Sequence, residues 1–188
     1  MIRFYSLFLI LFLMVSIEYG PEKELPKGYE AQAREALSHF PELQGERIRF
    51  VVRPALVPLT SYVDPFSLIG KRRTYLITIS SATLPPLRPL LLKGHSFDAQ
   101  VGIIGHELAH IVDYRDRSAW EMLAVPFCSL RRECRNQFER RTDIRTVRYG
   151  LGKELLAWAE AVEAAFPDGG SEAYLNSAEI RALMEERN

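Results

Sequence analysis

The segment VGIIGHELAHIVDY, residues 101–114, constrains the fold of this chain more than any other stretch. Val101, Ile104, Leu108 and Ile111, with Phe97 one turn earlier, recur at helical spacing. That pattern predicts a helix that buries this face in a core. Ser96 stands where an N-cap belongs, and Asp98 places a carboxylate in the positive first turn. Yet His106, Glu107 and His110 sit in the middle of the run. Burying a polar group without a hydrogen-bond partner costs roughly 2–7 kcal/mol, so three such residues in a core-facing helix call for an explanation.

The flanking sequence predicts an α+β fold, strands first and helices after. YEAQAREALSHF carries Tyr29, Ala33, Ala36, Leu37 and Phe40 on one helical stripe, closed by Pro41. RIRFVVR alternates Ile48, Phe50 and Val52 with arginines, as a half-buried strand does. RTYLITIS, residues 73–80, is a second strand, and the proline-containing stretch before it, to about Gly70, reads as a loop. The proline-rich half of LPPLRPLLL excludes regular structure. Beyond residue 114, SAWE forms a capping box from Ser118 to Glu121, and a further helix is expected from about Ser129 to Tyr149, ending at Gly150. GKELLAWAEAVEAAF and a short helix capped by NSAE complete the chain.

At 188 residues, with 26% charged and 47% hydrophobic, the chain has the length and composition of one globular domain. Its formal net charge is zero, so no global field draws it to nucleic acid or to acidic lipid. Residues 1–20 differ from the rest: Arg3 precedes an apolar run from Phe4 to Ile17, broken only by Ser6. That length suits a signal peptide or an N-terminal membrane anchor, so export is expected, to the periplasm, the medium or the membrane surface. Residues 21–28 read as a linker, and 29–188 as the folded domain. Cys128 and Cys134 either pair as a disulfide or stand as two buried thiols.

His106 and His110, four apart, project from one helix face one turn apart. Each imidazole can give one nitrogen to a tetrahedral Zn²⁺ at about 2.0–2.1 Å, and Glu107 beside them can reach a water at the metal. The pattern is H-E-x-x-H. Asp113 falls on the same face, one turn beyond His110, where it can bond that ring or an arginine.

HELAH resembles the active-site motif of the zincin metallopeptidases. Glu139 and Asp143, in FERRTD, resemble the E-x-x-x-D of the gluzincin branch. The resemblance implies Glu139 as third zinc ligand, Asp143 as the carboxylate that orients a ligand histidine, and Glu107 as general base. It also implies a strand before the active-site helix that pairs with substrate, for which RTYLITIS is the candidate. The metzincin pattern would instead make Asp116 the third ligand, though Asp113 stands where that pattern has glycine. His95 and Glu133 remain further choices. Gluzincins also use a Tyr or His to stabilise the oxyanion, and Tyr114, Tyr149, Tyr174 and His39 are available. The expectation is an exported zinc metallopeptidase acting on peptides or proteins. The alternative is a non-catalytic zinc-binding module of the envelope, with AWEMLAVPF and LPPLRPLLL either as binding surfaces or as cover for the core.

Overall fold

A computed structural model describes residues 23–68, 72–167, 169 and 172–186. The expected signal or anchor segment lies outside them. Among the described residues the chain is a mixed α+β structure with a four-stranded sheet and six helices. The strands are β1 (Lys23–Glu24), β2 (Arg47–Arg53), β3 (Leu59–Val63) and β4 (Thr74–Ser80), in the order β1-β2-β4-β3. β1 and β2 pair in parallel, as do β2 and β4, while β3 runs antiparallel to β4.

Two sequence expectations are corrected here. The stretch read as a linker holds β1, and Lys23 is tied down, its Nζ donating to the carbonyls of Leu43, Gln44 and Glu46. The stretch read as a loop holds β3. Pro58 and Pro65 flank β3 rather than interrupt it, and an edge strand tolerates such neighbours. β4, the candidate for pairing with substrate, is therefore interior, bonded to β2 on one side and β3 on the other. The sheet edge beside the helix over Phe97–Asp116 is β3.

Alternation puts Ile48 and Phe50 of β2, Val63 of β3, and Tyr75, Ile77 and Ile79 of β4 into the core. Against them lie α1 (Glu30–Ser38) and α2 (Phe97–Asp116). Ser96 caps α2 as expected, accepting from the Ala99 N–H at 3.3 Å. α2 is buried nearly all round, from Ala99 through Val112 and at Tyr114. The proline-rich segment, expected to lack regular structure, instead forms a 3₁₀ helix over Pro85–Leu90, because the prolines' fixed φ is compatible with a tight turn.

The capping box at Ser118 and Glu121 is present and starts α3 (Ala119–Leu130). The helix expected from about Ser129 instead begins, as α4, at Arg132 and runs to Thr146. Arg131, in extended backbone at φ −97° and ψ 117°, separates the two, and a Cys128–Cys134 disulfide ties them together. Gly150, at φ +89°, gives the bend in Val147–Leu151 that joins α4 to α5 (Gly152–Ala165). The last helix, α6 (Ser177–Glu185), is capped by Asn176. α5 crosses α2 at close range: a Cβ on Gly102 would meet the Glu154 carbonyl oxygen at 2.2 Å.

Candidate metal centre

α2 and α4 cross so that the histidines of one face the carboxylates of the other. His106 is 2% exposed, Glu107 6% and His110 5%. Glu139 Oε2 lies 3.1 Å from His106 Nε2 and 3.1 Å from His110 Nε2. The opposite nitrogen of each ring is already engaged. His106 Nδ1 is 2.7 Å from Asp143 Oδ1, and His110 Nδ1 is 3.2 Å from Thr142 Oγ1. Thr142 donates its own proton to the Phe138 carbonyl, so it accepts from the ring. The network thus assigns the proton of each neutral imidazole to Nδ1 and leaves both Nε2 lone pairs aimed at a carboxylate oxygen.

Three lone pairs converging on one point repel unless a cation sits among them. The ligand atoms of His106, His110 and Glu139 all lie within 4.8 Å of one another, and the group can hold a metal ion. Ligands at 2.0–2.1 Å from a shared tetrahedral ion stand about 3.3 Å apart, close to the 3.1 Å spacings here. Without an ion, protons answer the same electrostatics. Burial alone would lower the His106 pKa, but Asp143 and then Glu139 overcome that and raise it well above its ordinary value. Burial would raise the Glu139 carboxyl, but its contacts with His106 and His110 hold it well below the usual range.

Asp143, itself 2% exposed, is fixed from behind: its Oδ2 accepts from the Leu175 backbone N–H at 2.8 Å. Arg140, next to Glu139, holds that loop to α4 by bonding the Tyr174 carbonyl and Glu179. Neither Thr142 nor Leu175 was named from the sequence. Thr142 was within reach, because Phe138, Thr142, Asp143 and Thr146 form the buried stripe of α4 at helical spacing. Nothing in the sequence pointed to the Leu175 N–H.

Several expected partners lie elsewhere. Asp113 does not orient His110; it pairs with Arg117 and Arg145, the nearer cations at that end of α2. Asp116, 63% exposed at its side chain, pairs with Arg115 and is no part of the ligand group. His95 bonds the Pro89 carbonyl and packs on Trp158, and Glu133 is exposed on α4. Tyr149 bonds Glu42 through its hydroxyl and His39 through its carbonyl, which removes both from the site. Tyr114 stacks behind His110.

Tyr174 is the remaining candidate. Its ring lies 5.7 Å from that of His106, and it lines the same cavity. Although the residue as a whole is 44% exposed, its phenol is held well above the usual range, first by burial and then by Glu139, Glu107 and Asp143. The cavity, about 740 Å³, is polar at His106, Glu107, Asp143 and Tyr174 and apolar beyond, along Leu87, Leu90, Trp158, Val162 and Phe166. Val57, Pro58 and Leu59, at the start of β3, form another part of its wall. Glu107 has no hydrogen-bond partner among the described residues, although it is buried beside His106.

No family model matches this chain, and no curated protein or solved structure is significantly similar to it. What the site can do therefore rests on its own geometry.

Proposed function

We propose that the chain is a zinc-dependent peptidase of zincin-like, gluzincin-type organisation. Zinc is favoured by the donor set, two imidazoles and one carboxylate, which leaves a fourth tetrahedral position open for catalysis. The convergence of His106 Nε2 and His110 Nε2 on Glu139 Oε2, with both Nδ1 atoms already bonded, carries this reading. Asp143 and Thr142 keep both rings turned inward. When bound, the ion supplies a Lewis acid that polarises a substrate carbonyl and lowers the pKa of water toward 7.

The chain's own groups do the rest. Glu107 takes a proton from the attacking water as its oxygen bonds to the carbonyl carbon. The carboxyl then delivers that proton to the amide nitrogen as the C–N bond breaks. The Tyr174 hydroxyl, kept protonated by its surroundings, donates to the developing oxyanion. The apolar wall formed by Leu87, Trp158 and Phe166 suits a large apolar substrate side chain.

A domain that only held a metal would have no use for a buried carboxylate at Glu107, lining the cavity without a hydrogen-bond partner among the described residues. Glu107→Gln keeps size and hydrogen-bonding reach but cannot accept a proton at neutral pH. Metal content should survive, while hydrolysis of a peptide substrate should fall roughly 10²- to 10⁴-fold. Full activity in that variant would end the peptidase mechanism.

A further inference from the structure

Tyr174 lies outside any helix, so something other than helix geometry must aim its side chain. The residues on either side, Ala173 and Leu175, are buried, and Leu175 packs with Val147, Leu155, Ala159 and Ile180 in a small apolar cluster. Apolar burial anchors the segment but is non-directional, so it does not fix how the backbone turns about Tyr174. The polar contacts do. The Tyr174 carbonyl accepts from Arg140 Nη1 at 3.2 Å, and the Leu175 N–H donates to Asp143 Oδ2 at 2.8 Å. Those two groups belong to one peptide unit. Because the unit is planar, holding both its polar ends fixes its orientation, and with it the setting of Tyr174.

Both grips come from α4, the helix that carries Glu139. At roughly 100° per residue, Asp143 falls between Glu139 and Arg140 around the helix axis. Its two oxygens divide accordingly: Oδ1 accepts from His106 Nδ1, and Oδ2 from the Leu175 N–H. Arg140 is braced in turn. Its guanidinium bonds both oxygens of Glu179, at 2.5 and 3.3 Å, in the forked geometry that holds an arginine in one orientation. Glu179 is itself fixed by its capping box with Asn176. The neighbouring Glu139 carboxylate is turned toward the two histidines instead.

We propose that Arg140 is a positioning residue for Tyr174. With Asp143 it clamps the Tyr174–Leu175 peptide unit to α4, so that the phenol ring is held beside His106 and in the cavity. What Tyr174 then does rests on the peptidase reading; the clamp itself does not.

The test compares the zinc-loaded full chain with its Arg140→Gln variant. Hydrogen exchange read by mass spectrometry should speed about threefold or more across residues 172–176 and stay unchanged across 101–112, with zinc content retained. On a quenched-fluorescent peptide with phenylalanine beside the scissile bond, kcat should fall about 10-fold while KM holds. That is less than the roughly 10²- to 10³-fold worth of an oxyanion donor, because the donor is loosened rather than lost. In a Tyr174→Phe background the same substitution should cost nothing more, since residues acting through one group are not additive. Should Arg140→Gln misfold, Arg140→Lys, which keeps the charge but loses the fork, should give the same changes in smaller measure. Unchanged exchange at 172–176 would overturn the clamp, whatever the activity. A raised KM with kcat intact would make Arg140, which also lines the cavity, a substrate contact and defeat the proposal. So would an equal loss of kcat in the Tyr174→Phe background. Failure of the peptidase reading shows differently, as activity that survives Glu107→Gln; exchange that still answers to Arg140 would then uphold the clamp.

Discussion

His106 shows how one side chain ties the site to pH. Its folded pKa is raised above the ordinary 6.5. In metal-free protein its stabilising contribution is therefore complete below pH 6.5 and lost as pH rises through the raised value. Glu139, depressed from 4.5, contributes in the opposite sense: its share is present above 4.5 and lost on strong acidification. A metal reverses the histidine dependence, because it needs the rings deprotonated. The gap in Tm between zinc-loaded and chelator-treated protein should widen as pH rises from 6 to 8. A constant or shrinking gap, measured by thermal denaturation, would mean that the rings are not ligands. Asp143→Asn should lower metal affinity or activity roughly 10- to 100-fold by loosening His106. Titration with a zinc-competing dye would measure it. Spacing alone singled out His106, Glu107 and His110, and a resemblance singled out Glu139 and Asp143; the structure brings His106, His110, Glu139 and Asp143 together. For Asp113 the spacing left the His110 ring and an arginine both open, because it specifies a face but not which nearby group captures a carboxylate there; Arg117 and Arg145 hold it.

At the scale of elements, periodicity located most of the helices, and capping chemistry located their starts at Ser96, Ser118 and Asn176. The misreadings share a cause. β1 has two residues and β3 five, too short for alternation to stand out, and both are strands only because neighbours supply their hydrogen bonds. Nor did the sequence mark Gly102 as the contact that lets α5 approach α2, since a glycine within a helical run shows its purpose only against a partner. Gly102→Ala would drive a methyl group into the Glu154 backbone carbonyl, which cannot swing aside as a side chain would. A loss of roughly 1–3 kcal/mol is expected from overpacking, read by urea denaturation of the zinc-loaded protein. Undiminished stability would mean that the α2–α5 approach is looser than described.

For the whole molecule, the class α+β followed from the order of strand and helix patterns, but the sheet order did not. Interior β4 and edge β3 are set by long-range pairing that no local pattern encodes. That order brings the start of β3, an edge strand among the described residues, to the cavity wall, while β4 lies in the interior of the sheet. The fold also brings α2 and α4 together from opposite sides of α3, so that a metal between them would join distant parts of the chain. Anomalous diffraction at the zinc edge from crystals of the zinc-loaded protein tests this arrangement most directly. One ion is expected, about 2.0–2.2 Å from His106 Nε2, His110 Nε2 and a Glu139 oxygen. An ion held by Asp116 with Glu139 free, or no ion at the two histidines, would contradict it.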